Sequence, residues 1–121
     1  VPGIETMFPI LLYETIVNKR LSLQRLTEVI SFNPAVRFNL FPKKGIIAVN
    51  SDADLVIVDP KNIKQIKNKD LHYKCGWTVY EGLYSLPIEY TISRGEIVFE
   101  KGEIYAKPGR GKFLSTSPLK V

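Results

Sequence analysis

Cysteine, histidine, tryptophan and methionine each occur once in 121 residues. A lone thiol, Cys75, excludes an internal disulfide and points to a reducing, cytoplasmic setting. A lone imidazole, His72, leaves no Ser/His/Asp or Cys/His arrangement that can be placed from sequence. His72 and Cys75 stand three apart, yet two ligands fall short of a closed zinc site, so both read as ordinary loop residues. Long apolar runs are missing too. The stretch Met7 to Leu12 is far too short for a bilayer, and Tyr13, Glu14 and Asn18 break the apolar character beyond it, so it reads as a buried helix and no membrane partner is expected.

What is present is ordinary in kind. Hydrophobic residues make up 45% and charged residues 24%, which suits a folded globular chain rather than a disordered one. The net charge is +5, but the cations are scattered over Lys19-Arg20, Lys43-Lys44, Lys61 to Lys69 and Lys107 to Lys112. No aromatic–basic interleaving accompanies them, so they read as solvated surface and not as a nucleic-acid interface. Gly109-Arg110-Gly111-Lys112 has the look of a phosphate loop but not its spacing. Phe113 stands where Ser or Thr would follow the lysine, so a flexible or docked tail is expected. Glu5, Glu14 and Glu28 lie near helices with nothing in sequence to pair them for acid–base work. Trp77, Tyr80 and Tyr84 cluster around Gly76 and Gly82 and predict an aromatic loop packed on a sheet.

The chain changes character near Phe41. Before it, Ile10, Leu11, Tyr13, Ile16 and Val17 predict a helix over about 6–19. Ser22 is a good N-cap for a second helix, whose stripe is Leu23, Leu26, Thr27 and Ile30. Asn33-Pro34 predicts a fresh start, with Asn capping and Pro at the first position of a short helix over 34–38. After it, β-branched residues predict strands over 54–59, 88–93, 96–100 and 103–105. Arg94-Gly95 and Lys101-Gly102 are turns spaced to make an antiparallel meander. Helices followed by strands without alternation predict an α+β arrangement at the junction of two domains.

Three further stretches are distinctive when taken together. The first is Pro2-Gly3-Ile4-Glu5-Thr6-Met7-Phe8-Pro9-Ile10-Leu11-Leu12, with Arg20-Leu21-Ser22-Leu23 and Asn33-Pro34-Ala35. The second is Ala53-Asp54-Leu55-Val56-Ile57-Val58-Asp59. The third joins Lys74-Cys75-Gly76-Trp77-Thr78-Val79-Tyr80-Glu81-Gly82 to Thr91-Ile92-Ser93-Arg94-Gly95-Glu96-Ile97-Val98 and Lys107-Pro108-Gly109-Arg110-Gly111. Together they resemble the C-terminal end of the dihydroorotases, within the cyclic amidohydrolases. In this likeness Asp54 and Asp59 bracket a buried apolar strand, and Pro2-Gly3 forms a rigid, close-approaching turn. Asn50 and Ser85 stand where Gly is usual, and Val79 where Pro is frequent. Asn50 keeps its turn because Asn tolerates a left-handed backbone.

The resemblance implies the fold class: the last loop and terminal helices of a metal-dependent (β/α)8 barrel over 1–41, the C-terminal half of a small β-sandwich over 42–105 with open strand edges, and an irregular tail over 106–121. The chain then reads as the C-terminal piece of a larger enzyme that interconverts N-carbamoyl-L-aspartate and dihydroorotate in pyrimidine synthesis. One or two zinc ions would belong to that parent, and neither metal ligands nor catalytic residues to this chain. Val1, Pro2 and Gly3 are its substrate-adjacent loop. The implied partners are the remainder of the parent, further copies of it, and aspartate carbamoyltransferase. Alternatives are another cyclic amidohydrolase (an allantoinase, or a dihydropyrimidinase or hydantoinase) and a non-catalytic interaction module.

Overall fold

A computed structural model of the chain describes residues 1–116. It divides into two compact units, one made of Val1–Leu26 with Val58–Ile88, the other of Thr27–Ile57 with the described residues from Glu89 onward.

In the first unit, α1 spans Ile4–Ile16. Gly3 is its N-cap: the Gly3 carbonyl accepts the N–H groups of Thr6 at 3.3 Å and Met7 at 2.8 Å. The helix begins earlier than the apolar pattern predicts and stops before Lys19. That lysine takes φ +53°, the left-handed conformation that ends helices. Ser22 caps the next helix as expected. Its Oγ accepts the Arg25 N–H at 3.1 Å.

α1 lies against a two-stranded antiparallel sheet, β2 (Lys64–Gln65) and β3 (Tyr84–Ser85), paired Lys64 with Ser85 and Gln65 with Tyr84. The Leu86 N–H donates to the Pro9 carbonyl at 3.0 Å, and the Tyr13 and Tyr84 rings stack at 5.6 Å. Ser85 is buried and its hydroxyl donates to the Lys64 carbonyl, which explains how a side chain fits where Gly is usual. Tyr84 thus pairs with Tyr13, not with Trp77 or Tyr80 as the predicted cluster would have it. Leu12, Leu26, Ile66 and Leu86 are the buried apolar residues of this unit.

The predicted break at Asn33-Pro34 does not occur. α2 (Leu23–Thr27) runs into a π-turn, Glu28–Phe32, and on into α3, Asn33–Arg37. Asn33 is helical, at φ −61° and ψ −43°, and its N–H reaches back five residues to the Glu28 carbonyl. That wide turn replaces the cap. A proline inside a helix clashes with the carbonyl four residues back, and one inserted residue relieves the clash while keeping the chain helical.

In the second unit the sheet order is β1-β4-β5-β6, with β1 at Leu55–Val58, β4 at Ile88–Ser93, β5 at Glu96–Glu100 and β6 at Glu103–Ile104. The meander is as predicted, and both hairpins close on two-residue turns. Ser93 faces Glu96 across Arg94-Gly95, and Glu100 faces Glu103 across Lys101-Gly102. Both residues of each turn have positive φ, at +48° and +80° and at +45° and +95°, as mirror-image turns require. Val98 is the extra residue of a bulge in β5, between the pairs Thr91–Phe99 and Ile92–Ile97. The strand bracketed by Asp54 and Asp59 is not buried, contrary to the reading from sequence. β1 is an edge strand, and Val56 and Ile57 are each nearly half exposed. Asn50 takes φ +71°, the conformation expected of it.

Lys44 organises the loop that leads into β1. Its ammonium lies 2.8 Å from Asp52 Oδ2, which is otherwise without a partner among the described residues, and also contacts Asp54. Asp54 in turn accepts the Arg94 N–H at 2.8 Å. The tail is docked: Arg110 donates to the Ser93 hydroxyl at 2.8 Å and the Ser93 carbonyl at 2.7 Å, and Arg94 returns a bond to the Arg110 carbonyl. Residues 106–116 carry no regular element, and the end of the predicted tail, 117–121, lies outside the described residues.

Candidate functional site

The start of α1 and the loop around residues 72–80, both in the first unit, bring together the chain's titratable groups of most interest. Glu5 sits in the first helical turn, where a carboxylate complements exposed N–H groups. Its Oε2 accepts the backbone N–H of His72 at 2.9 Å, and its Oε1 lies 2.7 Å from His72 Nδ1. The Glu5 N–H donates to the Tyr73 hydroxyl at 2.9 Å, satisfying one of the amides a helix start leaves open. Glu5 is therefore paired and His72 is not an idle loop residue, which corrects both readings from sequence. They stand 67 positions apart, and only the carboxylate in a first helical turn hinted at the contact.

Cys75 takes no part in this cluster. It is exposed, and its Sγ–H points to the Trp77 carbonyl at 3.5 Å. Glu14 is paired as well: Arg20 Nε lies 2.9 Å from its Oε2 and Asn18 donates to Oε1 at 3.1 Å.

Val1, Pro2 and Gly3 lead directly into this helix start. Val1 is exposed, and Pro2 and Gly3 are partly so. Gly3 has φ −142°, which any residue adopts, and a Cβ built there would meet only the Tyr80 ring, at 4.0 Å. Glycine is thus not required by the described residues here, against the close-approaching turn read from sequence.

Zinc does not fit what the described residues offer. No three of His, Cys, Asp and Glu meet closely enough to hold a metal, and both Glu5 oxygens are already engaged by His72. As a chemical arrangement, the Glu–His–Tyr cluster can orient a ring and fix a loop.

The profile of the Amidohydrolase family matches residues 4–98. This chain belongs to that family. Among curated relatives of this amidohydrolase chain, a dihydroorotase of Methanosarcina acetivorans is 46% identical over 97% of the chain, and a D-phenylhydantoinase of Escherichia coli O1:K1 is 40% identical over 98%. Of solved structures, a D-hydantoinase matches 94% of the chain with a TM-score of 0.85 at 32% identity. A D-hydantoinase (dihydropyrimidinase) from Thermus sp. matches 93% with a TM-score of 0.85 at 35% identity. The chain spans about a quarter of the length of these relatives. It is a piece of the amidohydrolase fold in that sense, and among the described residues no helix is long and apolar enough to cross a membrane.

Proposed function

We propose that this chain is scaffold in a dihydroorotase, a zinc enzyme that interconverts N-carbamoyl-L-aspartate and dihydroorotate. The observation that carries the reading is the identity of 46% over nearly the whole chain to a dihydroorotase, above the 40% to a D-phenylhydantoinase. The Lys74-Cys75-Gly76-Trp77-Thr78 segment leans the same way. In this reading the zinc, its ligands and the proton-transfer groups lie outside the chain, and the 121 residues alone are inactive. Residues 1–41 close a (β/α)8 barrel, 42–105 supply the C-terminal strands of a β-sandwich, and 106–121 form the tail. Val1, Pro2 and Gly3 border the substrate. The parent works in the cytoplasm as a homo-oligomer, with aspartate carbamoyltransferase as a further partner.

A second reading, hydantoinase or dihydropyrimidinase, draws on the two solved structures matched at a TM-score of 0.85. One comparison separates them. The full-length protein carrying this chain is assayed for ring opening of dihydroorotate, hydantoin, dihydrouracil and allantoin. Highest kcat/KM on dihydroorotate supports the first reading, and turnover confined to hydantoin or dihydrouracil replaces it with the second.

A further inference from the structure

The contact between Glu5 and His72 fixes more than two side chains. His72 offers two groups, its backbone N–H and Nδ1, and both converge on one carboxylate, at 2.9 and 2.7 Å. The adjacent Tyr73 hydroxyl takes the Glu5 N–H at 2.9 Å. From the other side, the Tyr80 ring stands 4.0 Å from where a Gly3 Cβ would be. Three side chains of one loop thus bracket the stretch Gly3-Ile4-Glu5. The first turn of α1 already closes on the Gly3 carbonyl, so the helix does not need this latch in order to start. The latch is also too open to be core. His72 is 46% exposed and Glu5 31%, and exposed ion pairs add little to stability. What it contributes is geometry, held at the residues that come after Val1-Pro2-Gly3.

We propose that His72, acting through Glu5, is a positioning residue that fixes the Val1-Pro2-Gly3 loop against a cyclic amide substrate. This rests on the proposed function, in which the loop borders the substrate. A loop held in one place lowers the ordering cost of binding without touching the chemical step, so the effect falls on KM.

The test is steady-state kinetics of the full-length protein. His72→Ala raises KM for dihydroorotate about fivefold and leaves kcat within about twofold. Its melting temperature stays that of the parent. His72→Asn restores KM, because the Asn amide can donate to Glu5 Oε1 in place of Nδ1. A His72→Ala protein with the parent's KM overturns the proposal. So does a loss in kcat and melting temperature together that Asn does not rescue. Should His72→Ala not fold, Glu5→Ala, which removes both contacts with His72, carries the same expectation, and a parental KM in that variant is equally fatal. If the parent turns over hydantoin instead, the same ratios are read on hydantoin, so failure of the dihydroorotate assignment leaves this test standing. Hydrogen exchange at the Glu5 amide, which the Tyr73 hydroxyl of the same loop accepts, supplies a substrate-free check: exchange quickens in His72→Ala, and unchanged exchange counts against the latch.

Discussion

Gly45 lies so close to Ala35 that a Cβ built on it would stand 2.5 Å from the alanine's Cβ, and 3.1 Å from the Ser31 carbonyl oxygen. Its φ is +85°, so the backbone also favours glycine there. The two demands coincide because the loop after the helical stretch 23–37 turns back over it at the one point where the helix presents its smallest side chain.

Gly45→Ala should therefore be among the most damaging single changes in this unit. A left-handed alanine costs about 1 kcal/mol, and forcing a methyl into a closed contact adds about 1–3 kcal/mol. Urea unfolding should show a loss of about 3 kcal/mol. The same change at Gly95, where nothing stands within 4 Å, should cost only the backbone part, about 1 kcal/mol. Equal losses at the two sites would mean that the contact with Ala35 carries no energy.

The Lys44 cluster should give the protein a pH signature at both extremes. Burial by itself disfavours the charged form of both Lys44 and Asp54. Their mutual hydrogen bond, Asp52's bond to Lys44 and the Arg94 N–H on Asp54 outweigh it. Lys44 is left above its ordinary 10.5 and Asp54 below its ordinary 3.8. Asp54 is held low in the fold, so its contribution is present above 3.8 and drains as pH falls through the folded value. Lys44 is held high, so its contribution is complete below 10.5 and drains as pH rises through the folded value. The cluster is partly open to solvent, which limits each contribution to about 1 kcal/mol. Asp54→Asn should flatten the acid limb of the stability curve and weaken the alkaline limb in part, because Asp54 is one of the two carboxylates that hold Lys44 high. An unaltered acid limb would show that Asp54 is not what titrates.

Tyr105 should titrate late for a phenol. Its hydroxyl donates to Glu103 Oε2 at 2.9 Å, and losing that proton would break the bond and set a second negative charge beside Glu103, with Glu100 nearby. These effects raise it above the ordinary 10.0. Glu103→Gln should bring the Tyr105 resonance, followed by NMR against pH, back toward that value. It also removes the like-charged pair Glu100–Glu103 across the hairpin, so the variant should be stabilised by about 0.5 kcal/mol.

The hairpins were legible in the sequence because they are local: Arg94-Gly95 and Lys101-Gly102 lie between β-branched runs whose register two-residue turns then dictate. The cap at Ser22 was legible for the same reason. Asn33-Pro34 misled because its start signal is also satisfied by a π-turn, and sequence does not distinguish a capped restart from a widened helix. β2 and β3 are two residues each and mostly polar or exposed, too short to show a period. The Glu5–His72 contact spans 67 positions, and no local pattern encodes it. Family membership could be read because it rests on stretches of sequence. The partner of a single histidine could not, because it rests on how two distant stretches fold together.

Thr15 offers the reverse case to Gly45, a site where the natural residue is the weaker choice. It lies in α1, 4% exposed, and its hydroxyl has no hydrogen-bond partner among the described residues. A buried hydroxyl without a partner loses its bond to water and gains nothing in return. Valine has nearly the same shape and helix propensity, so Thr15→Val changes little except that deficit. The variant should be more stable by about 1 kcal/mol, read as a higher urea midpoint with an unchanged slope. Thr15→Ser keeps the hydroxyl and deletes a methyl, so it should be destabilised by about 1 kcal/mol. If valine lowers the midpoint instead, the Thr15 hydroxyl has a partner in solution, and this stretch of α1 is not as dry as its packing against β3 makes it.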